Sequence, residues 1–131
     1  MDTSETYIKM CEKAEEIQAI RRDCGFIHGD YYYEPISRNW NIIYDSQKSY
    51  MYSMPMCIWL PRQDQLLEML SQHGLWSKTL AFEFFLRKEG SYDIKSYAFQ
   101  FTSMEQLWLA FVMYKKYNKV WNGENWVKEI E

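Results

Sequence analysis

The run Thr102-Ser-Met-Glu-Gln-Leu-Trp-Leu-Ala-Phe-Val-Met-Tyr-Lys-Lys-Tyr117 decides how this chain folds. Thr102 and Ser103 are each followed three residues later by Glu105 or Gln106, a capping box in either frame. The hydroxyl and the Glu or Gln side chain satisfy free backbone N–H groups reciprocally. Leu107 to Tyr114 is then unbroken apolar or aromatic sequence. A surface helix shows one apolar stripe, whereas a helix apolar on every side must be covered on every side. The run is also shorter than the roughly 20 apolar residues that span a bilayer. Lys115, Lys116 and Lys119 close it with cations that suit a helix C-terminus. The expectation is a central buried helix in a small α+β domain.

Working outward, 131 residues fit one domain with one core, spanning 1–131. Aromatics make up 18% of the chain, so large rings should build that core. Asp2, Thr3 and Ser4 offer caps for a first helix running to about Arg22. Tyr7, Met10, Cys11, Ala14 and Ile17 recur along it at helical spacing, opposite Glu12, Lys13, Glu15 and Glu16. Cys24-Gly25 ends it. Three extended segments follow, Phe26 to Glu34, Asn39 to Tyr44 and Tyr50 to Leu60, with Pro55 marking a bulge or edge in the third. Their short polar links predict a three-stranded antiparallel meander.

Pro61 then opens a helix over about Gln63 to Gln72, with Gly74 as its stop. Residues 77–88 alternate like a strand and also fit a helical face; Ser77 as a cap and Gly90 as a stop favour helix. Tyr92 to Phe101 reads as loop or short strand. In the tail, Asn122-Gly123 stands between two Trp-bearing arms and predicts a small hairpin or hooked turn that folds Trp121 or Trp126 back.

The candidate functional residues cluster at three turns. His28 and Asp30 flank Gly29, with Cys24 four residues before His28, but a structural zinc site needs four ligands and no second pair is present. The Pro61 turn carries Trp59, Arg62 and Asp64, an ordered polar loop beside an aromatic. Trp121 and Trp126 frame the third turn. No metal and no cofactor are expected, since the five glycines are isolated and draw neither a P-loop nor a dinucleotide fingerprint. Paired catalytic carboxylates and a marked Cys–His pair are equally missing from the pattern, so an enzyme is the lesser expectation. Arg21, Arg22 and Arg38 with Tyr31, Tyr32 and Tyr33 offer a basic aromatic surface for single strands, but the net charge of −3 weighs against nucleic acid. Three scattered cysteines, no basic-then-apolar leader and no membrane-length run predict a cytoplasmic protein with reduced thiols.

Several long segments carry a likeness: Ile58-Trp-Leu-Pro-Arg-Gln-Asp-Gln-Leu66 with Glu68-Met69, Phe101 to Met113, and Tyr117-Asn-Lys-Val-Trp-Asn-Gly-Glu-Asn-Trp-Val127. Met10-Cys-Glu-Lys-Ala-Glu-Glu-Ile-Gln18 and the Gly29-Asp30 pair belong with them. Over nearly its whole length the chain resembles a group of small uncharacterised proteins encoded by bacteriophages and prophages. That resemblance implies a setting, a phage or mobile-element product made inside a bacterial host, and assigns no site residues. The function expected is therefore that of a non-enzymatic accessory protein acting by protein–protein binding, to a host target it inhibits, to another partner or to itself. A small-molecule or nucleotide-binding module is the alternative, and a nucleic-acid-binding protein the third reading.

Overall fold

The computed structural model describes residues 1–44, 56–70, 74–87 and 97–129. The expected strand residues 50–55, including Pro55, lie outside the described residues, as do 92–96 and the stop at Gly90. The fold is α+β, with helices, a three-stranded antiparallel sheet and a separate two-stranded hairpin. Contacts divide it into two compact units. One is Met1–Arg62 with Trp121–Trp126; the other is Gln63–Val120 with Val127–Glu131.

In the first unit, the Ser4 hydroxyl accepts from the Tyr7 N–H at 3.2 Å and caps α1 (Glu5–Lys13). The expected continuous helix to Arg22 breaks at Ala14, where ψ reaches 75°, and restarts as α2 (Glu15–Cys24). Neither Gly nor Pro causes this. Ala14 is fully buried, and its N–H turns back to the Cys11 carbonyl, which also receives the side-chain amide of Gln18 at 3.0 Å. Tertiary packing overrides helix propensity here. The apolar stripe is nevertheless the expected one: Tyr7, Met10, Cys11, Ala14 and Ile17 are all fully buried. Gly25, at φ 79°, ends α2 by donating to the Arg21 carbonyl at 2.7 Å.

The sheet comprises β1 (Tyr31–Glu34), β2 (Asn39–Ile42) and β3 (Ile58–Leu60) in the order β2-β1-β3. All pairs are antiparallel, but β3 pairs with β1 rather than β2, so the sheet is not the sequential meander expected. The reason lies in composition. The Tyr31-Tyr32-Tyr33 strand can be flanked on both edges, whereas Asn39-Trp40-Asn41-Ile42 is half polar and largely exposed, which suits an edge. Tyr31 faces Ile42 and Leu60, Tyr32 faces Asn41 and Trp59, and Tyr33 faces Trp40 and Ile58. Alternation therefore sets Tyr31, Tyr33, Trp40 and Ile42 on one face and Tyr32, Asn41 and Trp59 on the other. The other edge of the sheet is closed by a side chain: Gln18 accepts from the Trp59 N–H at 2.8 Å and donates to the Trp59 carbonyl at 2.9 Å. One amide thus does for β3 what a fourth strand would do.

In the second unit, α3 (Gln63–Glu68) is shorter than expected and gives way to two tight turns, Met69 to Leu66 and Leu70 to Leu67. Residues 77–87 are helical, as expected, within α4 (Leu75–Arg87), and residue 88 lies outside the described residues. Ser77 lies inside that helix rather than capping it, and Gly74, at φ 95°, precedes it, its carbonyl accepting from the Lys78 N–H. Residues 97–99 form a helical turn instead of loop or strand. The deciding stretch is α5 (Met104–Tyr117), capped in the Ser103 frame by a bond from the Gln106 N–H at 3.1 Å. The buried Gln106 amide reaches back to the Thr102 N–H and hydroxyl, both at 3.1 Å. Glu105 is left to accept from Gln63 at 2.8 Å. Five consecutive residues, Leu109 to Met113, are buried, so the helix is covered on all sides as its sequence demands. Phe111 packs edge-on against Phe82 and Trp108, and Phe85 lies 5.2 Å from its ring. Asn118, in the left-handed conformation at φ 56°, ends the helix.

The tail forms the expected hairpin, β4 (Lys119–Trp121) with β5 (Trp126–Lys128). Its turn spans four residues, with positive φ at Gly123 alone, and the Asn122 side chain accepts from the Glu124 and Asn125 N–H groups at 2.8 Å each.

Candidate functional site

Gly29 and Asp30 form a bulge in β1's approach to the sheet. The Gly29 N–H donates to the Ile43 carbonyl at 2.9 Å, and the Ile43 N–H donates to the Asp30 carbonyl at 2.8 Å. Two residues thus oppose one, with glycine at φ 89° in the first position, the arrangement of a G1 bulge. The bulge aims the Asp30 side chain inward, where it is fully buried. Arg21 on α2 meets it with both nitrogens, Nε at 2.6 Å and Nη2 at 3.2 Å, and the Ile27 N–H adds a third bond at 2.9 Å. The Arg21 guanidinium lies 4.0 Å from the Trp59 ring centroid, stacking as a cation on that ring. Arg62 completes the arrangement by donating from Nη1 to the Gly29 carbonyl.

The structure therefore brings Asp30, Trp59 and Arg62 together, with Arg21 as the link. It places His28 beside them on an exposed corner. Asp64 belongs to the first turn of α3 in the other unit. Trp121 and Trp126 pack on each other at 5.1 Å, and the buried Trp126 Nε1–H donates to the Met10 carbonyl at 2.9 Å. The chemistry of the Arg21–Asp30–Trp59 group is that of a clamp: its charges face each other, and little of either reaches solvent. Nothing in it offers an open coordination position or a nucleophile.

An opening in the first unit lies elsewhere. A groove of about 370 Å³ runs between α1 and the β1–β2 hairpin. On the helix side are Glu5, Ile8, Lys9 and Glu12. Tyr33, Trp40 and Arg38 form the hairpin side. Trp40 is 47% exposed and lies stacked 5.8 Å from Tyr31, while Ile36 at the hairpin tip is 83% exposed. Lys9 is neutralised by Glu124 at 2.7 Å, whereas Arg38, at φ 58°, makes no ion pair among the described residues. Glu34 stabilises the same turn: bonds from Ser37 hold its carboxyl below the usual value.

The groove adjoins the outer edge of β2, which among the described residues pairs with β1 alone. Because Ile43 turns both its N–H and its carbonyl toward the β1 side, alternation turns those of Ile42 and Trp40 outward. The Ile42 N–H is met by the Asn41 side chain at 2.8 Å. In the sequence Arg38 and Tyr33 fit a nucleic-acid surface and Trp40 a strand, and neither pattern marks a groove. The signal for the groove was the pairing of an aromatic with an otherwise polar, uncharged strand.

Two of the three arginines in that proposed basic surface have other engagements, Arg21 with Asp30 and Arg22 with Glu15 at 3.1 Å. Among the described residues no three His, Cys, Asp or Glu side chains converge on a point where a metal ion could bind. No helix among them is long and apolar enough to cross a membrane. Comparison with protein-family models, with curated proteins and with solved structures returns no match.

Proposed function

We propose that this protein acts by binding another polypeptide along the outer edge of β2, as an accessory product of a phage or mobile element in the cytoplasm of its bacterial host. The observation that carries the reading is an edge strand that no other described strand pairs, beside a half-exposed tryptophan. Edge strands are commonly blunted by lysine, proline or an inward charge, because unpaired backbone groups recruit other strands. Asn39 to Tyr44 contains none of these. An extended partner segment added to such an edge gains backbone hydrogen bonds from the strand and specificity from a neighbouring pocket. Trp40 and the groove supply that pocket, and tryptophan and arginine are the residue types that most often carry interface energy. The phage setting is supported by the resemblance of the Ile58–Met69, Phe101–Met113 and Tyr117–Val127 segments.

The test is capture, from a bacterial lysate that also contains the untagged chain, with tagged wild type and a tagged Trp40→Lys variant whose circular dichroism matches the wild type. A partner retained by the first and lost by the second is expected. Recovery of the same set by both contradicts the reading.

The groove's volume, at the low end of the roughly 300–1,000 Å³ usual for ligand pockets, supports a second reading as a small-molecule site. That reading predicts a rise in Tm with a nucleotide or metabolite panel, abolished by Trp40→Lys; no rise with any compound would count against it.

A further inference from the structure

We infer that the partner of the β2 edge is a second copy of this chain, joined strand to strand about a twofold axis at Asn41. The inference rests on the reading of that edge as the working surface. Trp40 and Ile42 turn their backbone groups outward, two residues apart, with Asn41 between them. In an antiparallel pair, residues that point at each other exchange both N–H···O bonds, and the residue between them forms a non-hydrogen-bonded pair with closely spaced side chains. An axis at Asn41 sets Trp40 of each copy opposite Ile42 of the other, so both outward residues of both copies are satisfied together. The match is isologous, as a closed twofold dimer requires.

The side chains agree with this register. Trp40, 47% exposed, meets the partner copy's Ile42, an aromatic facing a β-branched residue, which is a favourable cross-strand pair. Just outside this register, Arg38 of the β1–β2 turn, without an ion pair among the described residues, falls at the same end of the pairing as the partner copy's Tyr44, which is 56% exposed. That places a cation within reach of an aromatic face on each side of the axis. On the opposite face Asn41 meets Asn41, where two amides can donate and accept. No like charges meet, because Asn39 to Tyr44 carries none. An axis at Trp40 would instead set each Ile42 against the left-handed Arg38 of the turn, where no extended backbone stands to take its outward groups. The product is one continuous six-stranded antiparallel sheet, three strands from each copy. The Asn41 carboxamide, which now meets the Ile42 N–H, swings away as the partner copy's Trp40 carbonyl takes that donor.

The experiment is sedimentation velocity from low micromolar to near-millimolar concentration on wild type, Asn41→Lys, Asn41→Glu and an equimolar mixture of the two variants. Asn41 is exposed, so neither substitution disturbs the monomer, which circular dichroism verifies. Wild type should move with concentration toward twice the 16.0 kDa chain mass. Each variant alone sets like charges face to face across the axis, and its dimer should weaken roughly tenfold or more. The mixture should restore dimer at or beyond the wild-type level. Asn41→Lys dimerising like wild type overturns the inference, and so does a wild type that stays monomeric throughout. A monomeric wild type whose captured partner is still lost on Trp40→Lys removes self-pairing and leaves the edge as a binding surface. A monomeric wild type whose captured set is unchanged by Trp40→Lys overturns both.

Discussion

A carboxylate taken out of water costs several kcal/mol unless its oxygens are all met, and Asp30 meets that demand with Arg21 and the Ile27 N–H. Removing one member of a buried pair strands the other charge. Asp30→Ala is therefore expected to lower unfolding free energy by about 3–5 kcal/mol in urea titration. A loss under about 1 kcal/mol, the range of ordinary surface changes, would show that Arg21 finds water instead. The sequence marks Gly29-Asp30 as a turn and Trp59 and Arg62 as neighbours of another. It does not mark Arg21 as the group that joins them, because only the bulge turns Asp30 toward α2. The cysteines separate on similar grounds. Cys24 is exposed, Cys11 is buried, and burial with the nearby Glu34 charge pushes the Cys57 thiol up to about 11. At pH 8 a thiol of that pKa is thiolate in only about one molecule in a thousand. Iodoacetamide at that pH should label Cys24 well ahead of Cys57 and Cys11 by mass spectrometry; equal labelling would contradict the burial of Cys11 and the raised pKa of the half-buried Cys57.

At the level of elements, the stretch Thr102 to Tyr117 was the most legible part of the chain. Its cap, its all-round burial and its end can be read locally, because each depends on residues within one or two turns. Phe111 sits among Phe82, Phe85 and Trp108, so Phe111→Ala should cost about 3–5 kcal/mol by the same titration. A cost near zero would deny this helix its place in the core of its unit. Less legible were the break at Ala14 and the strand order. Both depend on partners far along the chain: Gln18 reaches Trp59 across 41 residues, and β3 passes over β2 to pair with β1. Local spacing carries no trace of such pairings. Gln18→Leu keeps the shape but leaves the Trp59 backbone groups without their amide partner. Its expected cost is about 1–3 kcal/mol, and the Trp59 amide should exchange with solvent faster by NMR. Unchanged exchange there would mean that this edge of the sheet needs no side-chain closure.

For the molecule as a whole, the candidate site was the least legible feature. Rare residues at turns drew the eye to His28, Asp64 and the two hairpin tryptophans, and the structure uses Trp121 and Trp126 for packing. The groove is built from ordinary residues of α1 and of a hairpin some 30 positions later, which only the tertiary fold brings together. The central claim is that the edge of β2 at Trp40 receives another polypeptide. Its most direct test is site-specific photo-crosslinking in the bacterial host, with benzoylphenylalanine placed at Trp40 or, as a control, at Phe84, an exposed ring of α4 in the other unit. Irradiation should give a discrete heavier adduct from position 40, containing either a second copy or another protein, and none from position 84. An adduct from position 84 alone, or from neither, would contradict the account.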